Sequence, residues 1–126
     1  MPLVRIDLAA GKSTDYRRTI GEVVYHAMTT TINVPKDDRF QIISEHSPED
    51  FIVDSSYLGI QRSRDCVVLQ ITLSDGRTVE QKRAFYKAIA DGLTARLALR
   101  REDVFINLIE VRKESWSFGN GEAQYA

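Results

Sequence analysis

A few residues in this chain have types and positions suited to chemistry without a metal. Pro2 is the first. If Met1 is removed, as it commonly is before a small residue, the exposed group is a secondary amine, a base and nucleophile with fixed geometry. An ordinary α-amino group titrates near pH ~8. An apolar pocket and a neighbouring arginine would each lower that value toward neutrality, where a proton shuttle works best. The plain alternative is that Pro2 opens an edge strand, where its missing N–H does no harm. Arg77 is the second candidate. It follows the Ser74-Asp75-Gly76 turn, between the carboxyl end of a strand and a helix start, where open α/β sheets tend to bind ligands. Its guanidinium fork suits a carboxylate, although a solvated helix-start residue, like Lys12 at the matching place, would also fit. Asp38 opens a returning strand and could orient water, carry a proton or simply hold a turn. Trp116 and Phe118 could wall a pocket or belong to the core.

Other chemistries find less support. His26 and His46 have no second ligand at metal spacing, so no metal site is expected. Cys66 opens an apolar strand and reads as a small buried hydrophobe. Gly119-Asn120-Gly121 has no following lysine of the phosphate-loop kind. Arg62 and Arg64 flank a strand and fit gatekeeping charges as well as ligands. The formal net charge of −1 supplies no field for nucleic acid or an anionic membrane. No apolar run approaches the ~20 residues of a membrane span, and the opening residues do not resemble a signal peptide. One cysteine excludes an intrachain disulfide framework and fits a reducing compartment. A cytoplasmic protein is expected.

The elements that must position these residues follow from a hidden repeat. Shifted by 65 residues, Gly11-Lys12-Ser13-Thr14-Asp15 falls on Gly76-Arg77-Thr78-Val79-Glu80, and Arg17-Arg18 on Lys82-Arg83. In the same register Asp38 meets Asp103, Phe40 meets Phe105 and Glu45 meets Glu110. A shared register of this kind points to two copies of one supersecondary unit. Leu3 to Leu8 alternates with Val4, Ile6 and Leu8 on one side, and Val67 to Leu73 repeats the pattern. Ser13 or Thr14 can cap the first helix, and Thr78 with Gln81 forms a capping box for the second. Ile20, Val23, Val24, Ala27 and Met28 form one helical stripe, and Phe85, Ala88, Ile89 and Leu93 the other. The first helix should stop near Asn33, because Pro35 restrains Val34. Returning strands are expected at about Arg39 to Glu45 and Val104 to Val111, parallel to their predecessors through right-handed crossovers.

The expected fold is therefore α/β (α+β): two β-α-β repeats forming a four-stranded sheet with two helices on one face. One domain spans 1–126, with repeat 1 about 2–46, a connecting loop 47–64, repeat 2 about 65–111 and a tail 112–126. The opposite sheet face would carry Leu3, Arg5, Val68, Gln70, Thr72 and Asn107 or its neighbours. A half-apolar face of that size argues for burial between subunits. The loop carries Phe51, Ile52, Tyr57 and Leu58, and its length suggests a functional segment. Asn120-Gly121 suits a tight turn, in an aromatic tail placed to pack on something, such as a neighbouring subunit.

Met1-Pro2-Leu3 before a strand, the twin units, Val34-Pro35-Lys36-Asp37-Asp38-Arg39-Phe40 and Trp116-Ser117-Phe118-Gly119 together resemble the tautomerase superfamily. Within it the chain is most similar to the malonate semialdehyde decarboxylase branch. The resemblance implies a homotrimer, Pro2 as the catalytic amine, no cofactor and a small carboxylate substrate. It matches Asp38 and Arg77 to catalytic positions, and Trp116 and Phe118 to aromatic residues of the pocket. One departure is Asp75, which stands where the decarboxylase pattern has a second arginine. The expected activity is thus keto–enol tautomerisation of small 2-oxo acids. Decarboxylation or hydration is the alternative, and a non-catalytic small-molecule-binding domain the reading of another class.

Overall fold

The computed structural model describes residues 2–126; Met1, whose removal is expected above, lies outside the described residues. Strand β1 spans Leu3–Ala9, helix α1 Thr14–Thr31 and strand β2 Phe40–His46. After the connecting segment come β3 (Val67–Ser74), α2 (Val79–Leu97) and β4 (Val104–Val111). The sheet order is β2-β1-β3-β4, with β1 parallel to β2, β3 parallel to β4 and β1 antiparallel to β3. The two β-α-β units thus meet through their first strands. This overturns the edge-strand explanation of Pro2, because β1 lies in the interior of the sheet.

The repeat recurs in detail. Ser13 caps α1 by accepting the Tyr16 N–H at 3.0 Å, and Thr78 and Gln81 form the capping box of α2. Gly11 and Gly76, at matching turns, have φ of 117° and 118°, where a side chain would be strained. Helix α1 stops at Thr31, and Asn33 turns left-handed at φ 59°; its mate Ala98 does the same at φ 54°. Arg17 bonds Glu45 at 2.5 Å and Lys82 bonds Glu110 at 2.6 Å, each tying a helix to its returning strand.

One face of the sheet makes the core. Val4, Ile6 and Leu8 with Val67, Leu69, Ile71 and Leu73 pack on the stripes of both helices, where Ile20, Val24, Met28, Phe85, Ile89 and Leu93 are all buried. Each such side chain contributes about 1.5–3 kcal/mol relative to exposure. The helices approach closely at Gly92, where an added Cβ would lie 2.7 Å from Val23 Cγ1. The other face is open, with Phe40 (50%), Ile42 (44%), Phe105 (44%) and Ile109 (38%) exposed beside Leu3, Arg5, Val68 and Gln70. The connecting segment holds two short 3-10 turns, Pro48–Asp50 and Tyr57–Gly59. Among the described residues, no helix is long and apolar enough to cross a membrane.

Candidate active site

Topology gathers the candidate residues at one end of the sheet. Leu3 lies opposite both Phe40 and Thr72, so the start of β1, the start of β2 and the carboxyl ends of β3 and β4 share that end. Pro2 immediately precedes Leu3 and is buried. Asp38, two residues before Phe40, is only 5% exposed. Its N–H donates to the Pro35 carbonyl at 3.2 Å, a turn made rigid by the proline.

Arg77 arrives from the turn after β3. Its Nε donates to the Ile32 carbonyl at 3.2 Å and its Nη1 to the Ser74 carbonyl at 2.9 Å. Two backbone carbonyls therefore aim the guanidinium without neutralising it. Up to three N–H groups stay available for an anion, including one on each terminal nitrogen, the spacing of a carboxylate. Arg77 lines a cavity of about 250 Å³ with Ile32, Asn33, Asp75, Gly76 and Gln81. Drug-sized ligands occupy ~300–1,000 Å³, so this space suits a molecule of few heavy atoms. Asp75 puts a carboxylate on the same wall, opposing the Arg77 charge.

The tail closes this end from its own chain. Trp116 Nε1 donates to Ser74 Oγ at 3.1 Å, and its ring stacks on Phe118 with centroids 5.4 Å apart. Tyr125 meets Phe118 edge-on at 5.1 Å, and the Gln124 side chain clamps Phe118 N–H and the Gly119 carbonyl. Asn120 and Gly121 form the expected tight turn, with φ of 60° and 67°. Ser74 and Tyr125 were missed by the sequence reading. Ser74 holds both Arg77 and Trp116, and its only signal is its place just before the Asp-Gly turn.

The opposite end of the sheet holds the repeat mates of these residues. The mate of Pro2 is Val67, whose nitrogen is an ordinary amide within β3. The mate of Arg77 is Lys12, whose hydrogen bond to Asp65 at 2.9 Å raises its pKa. The mate of Asp38 is Asp103, fully buried and accepting from Ser63 N–H at 2.7 Å and Ser63 Oγ at 2.6 Å. Cys66, beside this end, is buried, and desolvation pushes its thiol up to about 11. It is an inert hydrophobe at neutral pH, as its place in the pattern suggested.

The fold is an α+β scaffold of two β-α-β units, with the candidate residues Pro2, Asp38, Arg77 and Trp116 placed towards one end of the sheet. The chain belongs to the tautomerase family. Family models described as "Tautomerase enzyme" match residues 38–119 and residues 2–60. "Probable tautomerase YusQ" of Bacillus subtilis (strain 168) is 40% identical over 124 residues, covering 98% of each chain. FG41 malonate semialdehyde decarboxylase, solved with 3-bromopropiolate as inhibitor, has a TM-score of 0.90 and 40% identity, covering 98% of this chain and 93% of that one. A fused 4-OT, solved as a symmetric trimer, shares the fold with a TM-score of 0.79 at 22% identity, covering 98% of this chain and 97% of that one. Membership in a family of enzymes sets aside the reading of a domain that only binds.

Proposed function

We propose that this enzyme is a cofactor-independent keto–enol tautomerase of small 2-oxo acids, working in the cytoplasm as a homotrimer. The observation that carries the reading is Arg77, aimed by the Ile32 and Ser74 carbonyls at the sheet end where Pro2 begins β1. Arg77 holds the substrate carboxylate. The Pro2 nitrogen, a free secondary amine once Met1 is gone, accepts the enol hydroxyl proton as the carbonyl forms. The same proton is then delivered from the ammonium to the adjacent carbon, so the cycle balances without a co-reactant. Pro2 is buried, and an apolar surrounding favours a neutral amine over an ammonium. Asp38 orients substrate or water, while Trp116 and Phe118 exclude solvent. The exposed apolar face beside Phe40, Ile42, Phe105 and Ile109 supports subunit association, in keeping with the trimeric fused 4-OT of the same fold.

A second reading, decarboxylation of malonate semialdehyde, is favoured by the likeness to FG41 malonate semialdehyde decarboxylase. Asp75 weighs against it, since it stands where the resemblance to that branch implies a second arginine. Offering both substrates separates the two. Turnover of phenylenolpyruvate, followed by loss of enol absorbance, with no carbon dioxide from malonate semialdehyde supports tautomerisation. The reverse pattern would overturn it.

A further inference from the structure

The larger cavity is at the other end of the molecule. It measures about 430 Å³ and lies between the carboxyl end of β1 and the connecting segment. Seven residues of β1, at ~3.3 Å each, separate it from the Pro2 end, so it is a distinct place. Ala9, Pro48, Phe51 and Val53 make its apolar walls, and Ser55, Arg62 and Arg64 supply polar groups.

The cations there are held differently from the paired ones. Elsewhere, Arg17, Lys82, Arg96, Arg100 and Arg101 all pair with carboxylates. Arg62 instead donates from Nη1 to the carbonyls of Asp54, Tyr57 and Ile60 at 3.2–3.3 Å. Nε and Nη2, the side-on pair that fits a carboxylate, are left over. As at Arg77, main-chain carbonyls fix the guanidinium, here with the Asp54 carboxylate close enough to feel its charge. Arg64, exposed at the same cavity, has no hydrogen bond or ion pair among the described residues. The apolar wall is also held in place. Phe51 stacks on His46 with centroids 5.5 Å apart and planes 4° from parallel, and His46 is bonded to Asp7 at 2.6 Å.

We infer that this cavity is a second binding site, for a small monocarboxylate with a short apolar or aromatic body. The carboxylate meets Arg62 and Arg64, and the body lies against Phe51, Val53 and Pro48. Among the described residues its lining carries no amine and no carboxylate, so the site binds without turnover and is suited to an effector or a product.

The test is an NMR titration of the full chain carrying Arg77→Ala, which removes carboxylate binding at the Pro2 end, with phenylacetate and with neutral phenylacetamide as probes. The site predicts saturable shifts of the Ala9, Phe51, Val53 and Ser55 amides with phenylacetate, and binding at least about tenfold weaker for the amide. That factor reflects the loss of charge-assisted hydrogen bonds. Arg64→Ala should weaken phenylacetate by about tenfold. Phe51→Ala, which leaves the Arg62 bonds in place, should weaken both probes alike. Absence of shifts at these amides, or equal affinity for the two probes, would overturn the inference. So would shifts accompanied by subunit dissociation, since the occupant would then be another copy of this chain. An inactive Pro2 would leave the titration unchanged, so the two proposals fail separately.

Discussion

Replacing Arg77 by alanine removes a guanidinium that two backbone carbonyls hold in place, and the loss can be estimated from what that group has left to give. Of its five N–H groups, one goes to Ile32 and one to Ser74. An incoming carboxylate can therefore take two charge-assisted hydrogen bonds, each worth ~1.5–3 kcal/mol. Arg77 is only half-buried and Asp75 lines the same cavity, so the lower part of that range applies. A net loss of about 2–3 kcal/mol corresponds to a fall of roughly 30–150-fold in kcat/KM for an acidic substrate. Most of it should appear as a raised KM, because the carboxylate is gripped in ground and transition states alike. Ile32 lines the cavity, where its vacated carbonyl can take water, but Ser74 is buried, so stability should fall by about 1–3 kcal/mol. The assay is steady-state turnover of phenylenolpyruvate and its methyl ester by wild type, Arg77→Ala and Arg77→Lys. The ester should be indifferent to the change, and lysine should restore only part of the loss, because it keeps the charge without the fork. An equal loss for acid and ester, or an unchanged KM for the acid, would refute the carboxylate-binding role.

Cys66 should resist thiol reagents in the folded protein: with its thiol held up to about 11 by burial, only ~0.1% is thiolate at pH 8, and reactivity should rise as pH climbs toward that value. Rapid, complete modification at pH 8 would show that the strand opens. Ala98→Gly should stabilise the protein by about 0.5–1 kcal/mol in chemical denaturation, since φ of 54° suits glycine better than alanine. Phe105→Asp, placing a charge on the open sheet face, should dissociate the assembly in sedimentation while leaving the helices folded; unaltered mass in solution would put the subunit interface elsewhere.

The internal repeat made much of the fold legible. The same offset that aligned Ser13 with Thr78 and Asp38 with Asp103 reappears in the caps, the left-handed residues Asn33 and Ala98, and the two helix-to-strand ion pairs. Alternation in β1 and β3 identified the core face, because a residue on a pleated strand can face only two ways. The sheet order was not legible, as periodicity gives each strand's buried side and not its neighbour. The interior place of β1 depends on pairing between residues 59 to 69 positions apart. Candidate site residues stood out where a side chain had an unusual type or place, as with Pro2, Arg77 and Trp116. Ser74 was not, because an ordinary strand-end serine acts through its carbonyl and hydroxyl on partners that only the folded chain brings near. Asp38 and Asp103 look alike in sequence; that Ser63 holds Asp103 across forty residues, with Arg100 beside it, is visible only in the folded chain.

The central claim is that the Pro2 nitrogen does the chemistry. The measurement that meets it most directly is the intact mass of untagged protein, paired with phenylenolpyruvate turnover before and after a carboxylate-bearing alkylating agent. The account predicts a mass lacking methionine, a single adduct mapped to Pro2 with Cys66 unlabelled, and turnover lost in step with that adduct. A blocked start that retains Met1 should be inactive from the outset, since Pro2 would then hold an amide nitrogen with no basic lone pair. Full turnover with Met1 retained, or with Pro2 fully alkylated, would contradict it.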